Sequence, residues 1–200
     1  SVGGILPAIG GNIRVGQSET FLTEACEYTN SFLSFFPTLG IILNMDADHL
    51  DFFKDIDDIR HSFRKFAELL PADGALIINA DTPKYEMVAE NLPCKVITYG
   101  LEHDAEYTAS DITYDEFGHP TFHVLHNGED IGTCSLKVPG IHNVSNALAS
   151  IAAGRLLGLD NEVIFAGLKD FGGTDRRFQY KGKVGEVTII DDYAHHPTEI

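Results

Sequence analysis

Basic residues are scarce. Fourteen Lys and Arg face thirty Asp and Glu, a formal net charge of −16, and no basic run occurs anywhere, which argues against duplex nucleic acid or an anionic membrane surface as partner. Cysteine is sparse too. Cys26, Cys94 and Cys134 are odd in number, scattered and without C-x-x-C spacing, so neither a disulfide framework nor a structural zinc site is expected. No apolar run approaches the roughly 18 residues of a membrane span, and no charged-then-apolar signal segment opens the chain. These absences lead to the expectation of a soluble protein in a reducing compartment, the cytoplasm. What is present is ordinary globular material: 200 residues, 44% hydrophobic, 10% aromatic and 22% charged, enough for one core and part of a second unit and unlike a disordered or low-complexity chain.

The opening, from Val2-Gly3-Gly4 to Gly10-Gly11-Asn12, has no initiator methionine and reads as a glycine-rich loop cut from a longer protein. Phe21 to Ala25 is a short apolar stretch read as a strand ending in acids, and Leu39-Gly40-Ile41-Ile42-Leu43-Asn44 reads as a buried strand. Ile56, Ile59, Phe63, Phe66 and Leu70 recur at helical spacing after three aspartates, and Pro71 and Gly74 end the pattern. Ala75 to Asn79 is another strand. Thr82-Pro83 reads as the start of a helix running to about Asn91, and Lys95 to Tyr99 is a third strand. Strand–helix–strand–helix–strand predicts α/β architecture: a mostly parallel sheet flanked by helices. From Glu106 to Val138 the residues alternate, and Asn127-Gly128 marks a tight turn, so an antiparallel edge is expected. Asn143 to Leu157 is an alanine-rich helix closed by Gly158, and Asp160 is placed as the cap of a helix ending near Leu168. Val187-Thr188-Ile189-Ile190 reads as a final buried strand, with a domain boundary near residue 180.

Five constellations carry possible chemistry. Asp46-Ala47-Asp48-His49-Leu50-Asp51 follows a strand end, where open α/β sheets bind ligands; the plain alternative is an acidic turn before a helix. Glu24-Ala25-Cys26-Glu27 is placed at a second strand end. If those strands were parallel neighbours, Glu24 and His49 would share a divalent cation, magnesium or manganese with several waters, though imidazole also tolerates zinc. Gly140-Ile141-His142-Asn143-Val144-Ser145-Asn146 opens a helix and suits a base edge or an anion, or is an ordinary cap. Asp175-Arg176-Arg177-Phe178 holds the only paired arginines, planar donors suited to phosphate, or a solvated linker pair. Asp191-Asp192-Tyr193-Ala194-His195-His196-Pro197 offers carboxylates for ribose hydroxyls and histidines for phosphate or a cation.

Taken in this order, Glu-Ala-x-Glu with Ser-Phe-Leu at 24–33, Asn-Met-Asp-Ala-Asp-His-Leu-Asp at 44–51, Gly-x-His-Asn-x-x-Asn at 140–146, Arg-Arg-Phe at 176–178 and Asp-Asp-Tyr-Ala-His-His-Pro-Thr-Glu at 191–199 resemble the Mur ligases, ATP-dependent amide-forming enzymes of peptidoglycan synthesis. Residues 1–180 are similar to the family's central, ATP-binding domain and 181–200 to the first strand and loop of its C-terminal domain. The resemblance implies an activity joining L-alanine to UDP-N-acetylmuramate through an acyl phosphate. It implies ATP and Mg2+, with Mn2+ as a substitute, held through Glu24 and His49, which also serve catalysis. His142 and Asn143 fall where the family contacts adenine, Arg177 near the nucleotide phosphates, Asp192 at the ribose and His196 toward the muramyl substrate. Glu27, Asp48 and Arg176 are supporting candidates. No G-x-x-x-x-G-K-[ST] occurs in these 200 residues, and Gly10-Gly11-Asn12 lacks the lysine that meets phosphates, so this stretch alone is expected to bind nucleotide weakly and turn over nothing.

Three other readings stay open: a related ligase that attaches a recycled murein peptide to the same nucleotide, a metal-dependent phosphohydrolase built on Asp46, Asp48, His49 and Asp51, and a non-catalytic nucleotide-binding module.

Overall fold

A computed structural model describes residues 1–195. Three strands, β1 (Leu39–Ile42), β2 (Ala75–Asn79) and β3 (Lys95–Tyr99), lie side by side in parallel. β4 (Tyr107–Tyr114) joins β3 in parallel at one residue pair, Tyr99 with Tyr107, and β5 (Pro120–His126) and β6 (Glu129–Ser135) continue the sheet antiparallel. The six strands stand in chain order. The α/β expectation, a largely parallel sheet with an antiparallel edge, holds. Asn127 and Gly128 link β5 to β6 with φ of 51° and 81°; two consecutive left-handed residues match the right-handed strand twist of a tight hairpin.

Helices α1 (Ile56–Ala67) and α2 (Glu86–Ala89) make the crossovers, and α3 (Ile141–Leu156) and α4 (Asn161–Asp170) follow the sheet. α1 starts where Asp55 leaves extended backbone and accepts from the Asp58 amide at 3.0 Å, and Asp57 and Asp58 complement the positive end of the helix. Strand alternation then sorts side chains into two layers. Ile77 of β2 points into one cluster with Tyr99, Phe122, Val124, Val144, Leu148 and Ile151, while Leu76 and Ile78 enter the other with Phe32, Ile42, Phe66 and Leu70. Each fully buried aliphatic side chain contributes roughly 1.5–3 kcal/mol. Three of the four alanines of α3, Ala147, Ala149 and Ala152, are buried, and their small side chains let the helix lie close over the sheet.

Four expectations need correction. Residues 21–25 form no strand; they run beside Ser1, with the Glu24 amide donating to the Ser1 carbonyl at 2.9 Å and the Ser1 backbone nitrogen to the Leu22 carbonyl at 2.7 Å. The helix expected from Thr82 shrinks to the four residues of α2, because Lys84 sits at φ 61° and the chain turns there, Tyr85 N–H donating to Thr82 at 3.1 Å. Asp160 occupies the cap position of α4, yet its side chain makes no capping bond. The last apolar run is not buried. It forms β8 (Val187–Asp191), paired antiparallel with an unexpected β7 (Gln179–Val184) in a separate two-stranded sheet. Val187, Ile189 and Ile190 remain 65%, 45% and 44% exposed, since an apolar composition specifies a wish for cover and not its source.

Candidate active site

The carboxyl ends of the parallel strands carry the charged loops, the position where open α/β sheets bind ligands. The exit of β1 is fixed from its neighbours. Asn79 Nδ2 donates to the Leu43 carbonyl at 3.1 Å, and the buried Tyr99 hydroxyl donates to the Ile42 and Leu43 carbonyls at 3.3 and 3.4 Å. Residues 46–51 then form a loop pinned at both sides by buried Met45 and Phe53. Inside it, Asp46 Oδ1 accepts from the Ala47 amide at 2.7 Å and Asp48 Oδ1 from the His49 amide at 2.6 Å. His49 takes a left-handed φ of 53°, and its carbonyl accepts from the amides of Phe52 and Phe53, each at 2.9 Å. That conformation is uncommon for a residue with a Cβ and persists because the surrounding bonds over-determine it.

The segment around Tyr28 packs against this loop. The Tyr28 ring lies 4.6 Å from the His49 ring, and its hydroxyl donates to Asp51 Oδ2 at 2.7 Å. That hydrogen bond first, and the Asp51 charge second, raise the phenol above its ordinary pKa. His49 Nε2 stands 3.5 Å from Glu27 Oε1 and 3.8 Å from Asp48 Oδ2. The strand that would have set Glu24 opposite His49 does not form, and the Glu24 carboxylate instead accepts from the Gly3 amide. Among the described residues no three His, Cys, Asp or Glu side chains converge into a metal cage. The donor set suits a different ion: magnesium keeps most of its waters and takes one or two carboxylates plus substrate phosphate, and manganese also accepts imidazole. His49 with the neighbouring carboxylates fits such an open site and not a closed structural one.

A second centre gathers at the start of α3. Gly140 caps the helix at φ 94°, and a Cβ there would stand 2.7 Å from the His142 ring. Asn143 Nδ2 donates to the Pro139 carbonyl at 2.7 Å and stands 3.1 Å from His142 Nε2. The β7–β8 hairpin brings residues 176–178 against 191–194. Asp192 accepts from the Phe178 amide and from the Ala194 amide, both at 2.7 Å. These two bonds, with the nearby charges of Arg177 and His142, hold its carboxyl below the ordinary aspartate range. The charges of His142 and Arg177, from two other motifs, thus act on Asp192, and Asn143 stands beside His142. Arg176 turns elsewhere: its guanidinium lies 4.5 Å over the Tyr193 ring and 4.0 Å from Asp191. His196 lies outside the described residues.

Sequence reasoning missed Tyr28, Asn79, Asp81 and Tyr99. Asp81 accepts from the amides of Leu101 at 2.6 Å, Glu102 at 3.0 Å and His103 at 2.9 Å, and from the His103 ring. Asn79 and Asp81 follow directly from β2, so the strand-end rule that singled out residues 46–51 also marked them. Tyr28 and Tyr99 gave no such signal, because aromatic residues read as core.

This arrangement belongs to a known family. The chain is a member of the Mur ligases: the family model for the Mur ligase middle domain matches residues 7–154. The UDP-N-acetylmuramate--L-alanine ligase of Lachnospira eligens is 61% identical over 201 residues, which cover 100% of this chain and 44% of that protein. The crystal structure of a UDP-N-acetylmuramate-alanine ligase from Thermotoga maritima superposes with a TM-score of 0.82 at 30% identity, over 98% of this chain and 44% of that one. A UDP-N-acetylmuramate:L-alanyl-gamma-D-glutamyl-meso-diaminopimelate ligase from Neisseria meningitides gives 0.69 at 28% identity, over 80% of this chain and 50% of that one. The chain thus spans under half the length of the alanine ligases it matches. No helix among the described residues is long and apolar enough to cross a membrane.

Proposed function

We propose that the protein containing this chain joins L-alanine to UDP-N-acetylmuramate at the expense of ATP, as a cytoplasmic enzyme of peptidoglycan synthesis. The observation that carries this reading is the 61% identity to an alanine ligase along the whole chain, and among solved structures an alanine ligase superposes with a TM-score of 0.82 against 0.69 for the peptide-adding ligase. In this reading residues 1–180 are the central domain and 181–200 begin the C-terminal one.

The chemistry runs in two displacements. An oxygen of the lactyl carboxylate forms a bond to the γ-phosphorus of ATP as the bond to the β–γ bridging oxygen breaks, giving an acyl phosphate and ADP. The neutral amine of L-alanine then forms the C–N bond at that carbonyl, phosphate departs, and the amine proton passes to solvent. Mg2+ would be held through His49 with the Glu27 and Asp48 carboxylates beside it, and would supply the positive charge that lets two anions approach. Arg177 lies with the nucleotide phosphates, where a planar guanidinium pairs two oxygens. Asp192, kept ionised by its two amide donors, retains a second lone-pair direction on each oxygen for ribose hydroxyls. His142 and Asn143 at the helix start contact adenine, and His196 approaches the muramyl substrate.

The test is phosphate release from ATP and UDP-N-acetylmuramate by a protein of the relatives' length, with and without L-alanine. Release that requires L-alanine supports the ligase. Release that requires the tripeptide instead moves the protein to the peptide-adding branch, and release indifferent to either amine makes residues 46–51 a hydrolase centre. The 200-residue chain alone is expected to release none.

A further inference from the structure

We propose that Tyr28 is a positioning residue that sets the His49 imidazole for a phosphate-bound divalent cation. This rests on the metal reading of His49 given above. The two candidate motifs at residues 24–27 and 46–51 are distant in sequence; Glu27 approaches His49 at 3.5 Å, and Tyr28 next to it reaches both His49 and Asp51. Its ring covers the His49 imidazole with centroids 4.6 Å apart and an interplanar angle of 35°, and its hydroxyl donates to Asp51 Oδ2 at 2.7 Å. One residue thus restrains His49 by contact and the far end of the same loop by hydrogen bond.

Tyr28 is itself held. Thr29 and Asn30 adopt consecutive left-handed conformations, φ 56° and 60°, which turn the chain sharply after Tyr28. The Tyr28 carbonyl accepts from Ser31 Oγ at 2.6 Å. Asn30 Oδ1 accepts from the buried Ser62 hydroxyl of α1, and buried Phe32 stacks on Phe66 of the same helix with ring centroids 5.0 Å apart. The turn is therefore latched to the core on one side and presents Tyr28 to the metal loop on the other. Phe52 adds an edge contact to the Tyr28 ring at 6.1 Å. Tyr28 belongs to neither core cluster and is 37% exposed, so its role is to order groups of the site. A ligand imidazole whose orientation is fixed by an outer partner binds metal more tightly, and losing such a partner typically weakens affinity 10–100-fold.

The experiment reads the His49 ring protons by carbon-edited NMR, assigned by their loss in His49→Gln, in a protein of the relatives' length with the wild-type sequence, Tyr28→Phe or Tyr28→Leu. Without metal, the ring current of Tyr28 displaces the His49 resonances; Phe keeps the displacement and Leu removes it. MnCl2 is then titrated as a paramagnetic probe in the presence of the non-hydrolysable ATP analogue AMP-PNP. Wild type loses the His49 signals first, and both variants need about tenfold more Mn2+ for the same broadening, Phe because it lacks the Asp51 tie. His49 resonances unmoved in Tyr28→Leu overturn the proposal. Equal Mn2+ response in wild type and Tyr28→Phe overturns it too while leaving the metal reading of His49 intact, whereas a wild-type His49 that Mn2+ never broadens removes both.

Discussion

The side-chain amide of Asn79 crosses from the end of β2 to the carbonyl of Leu43 at the exit of β1, 3.1 Å away. Its other end accepts from the Asp81 amide at 3.0 Å, so one side chain sets the spacing of two loops that leave neighbouring strands.

Asn79→Ala leaves the Leu43 carbonyl and the Asp81 amide without this partner. The Leu43 carbonyl keeps the Tyr99 hydroxyl, so the loss is that of ordinary hydrogen bonds, about 0.5–1.5 kcal/mol, which urea denaturation of the chain will measure as a lower midpoint with an unchanged slope. Asn79→Asp retains the acceptor for Asp81 and recovers only part of the loss.

Asp81 anchors the loop after β3. Burial raises its pKa, but the amides of Leu101, Glu102 and His103 and the His103 ring outweigh this and leave it below the ordinary value. A folded-state pKa lowered in this way contributes stability that is fully present above the unfolded value of about 3.9 and is lost as pH falls through the folded one. Asp81→Asn should therefore destabilise by about 1–3 kcal/mol at pH 7, with a gap to wild type that closes below about pH 4. Urea midpoints at pH 7, 5 and 3 test the sign; a gap that widens in acid refutes the account.

Gly132 carries a φ of 131° in β6, and a Cβ there would lie 2.7 Å from Cε2 of Phe165 on α4. Gly132→Ala meets both a backbone region that L-residues avoid and a ring in its path. A loss of about 1–3 kcal/mol is expected. Adding Phe165→Leu should relieve the collision but not the backbone strain, so in thermal denaturation Gly132→Ala costs less in the Phe165→Leu background than in wild type, though not nothing.

Legibility in the sequence followed how local each signal was. β1, β2 and α1 announced themselves because a short apolar run, or an acid cap followed by apolar spacing, specifies its own conformation. α2 was over-read, since Thr82-Pro83 has the chemistry of a helix start while the left-handed Lys84 that breaks it carries no mark. β7 went unseen because Gln179, Lys181, Gly182 and Lys183 have no strand character, and only pairing with β8 makes them one. The same limit applies to the site. His49 was visible as a charged group after a strand, but its partner was sought at Glu24 because residues 21–25 looked like a neighbouring strand. The turn at Thr29 and Asn30, set by contacts with α1, places Glu27 and Tyr28 there instead, and contacts across twenty or more residues leave no local pattern.

The Asp192 carboxylate ties residue 178 to residue 194 at the end of the β7–β8 hairpin, and its ionised state suits hydroxyl recognition. Asp192→Asn removes the charge and converts one acceptor oxygen into a donor that opposes either the Phe178 or the Ala194 amide. In a protein of the relatives' length, the Michaelis constant for ATP should rise by about tenfold, equivalent to about 1.4 kcal/mol, with that for L-alanine little changed. Arg177→Lys keeps a positive charge but loses paired donation to phosphate, so it should also raise the ATP constant. Because Arg177 and Asp192 influence one another electrostatically, the double variant should cost less than the sum of the two. Steady-state kinetics on the four proteins decide it: strict additivity would separate the two residues, and an effect confined to L-alanine would move Asp192 out of the nucleotide site.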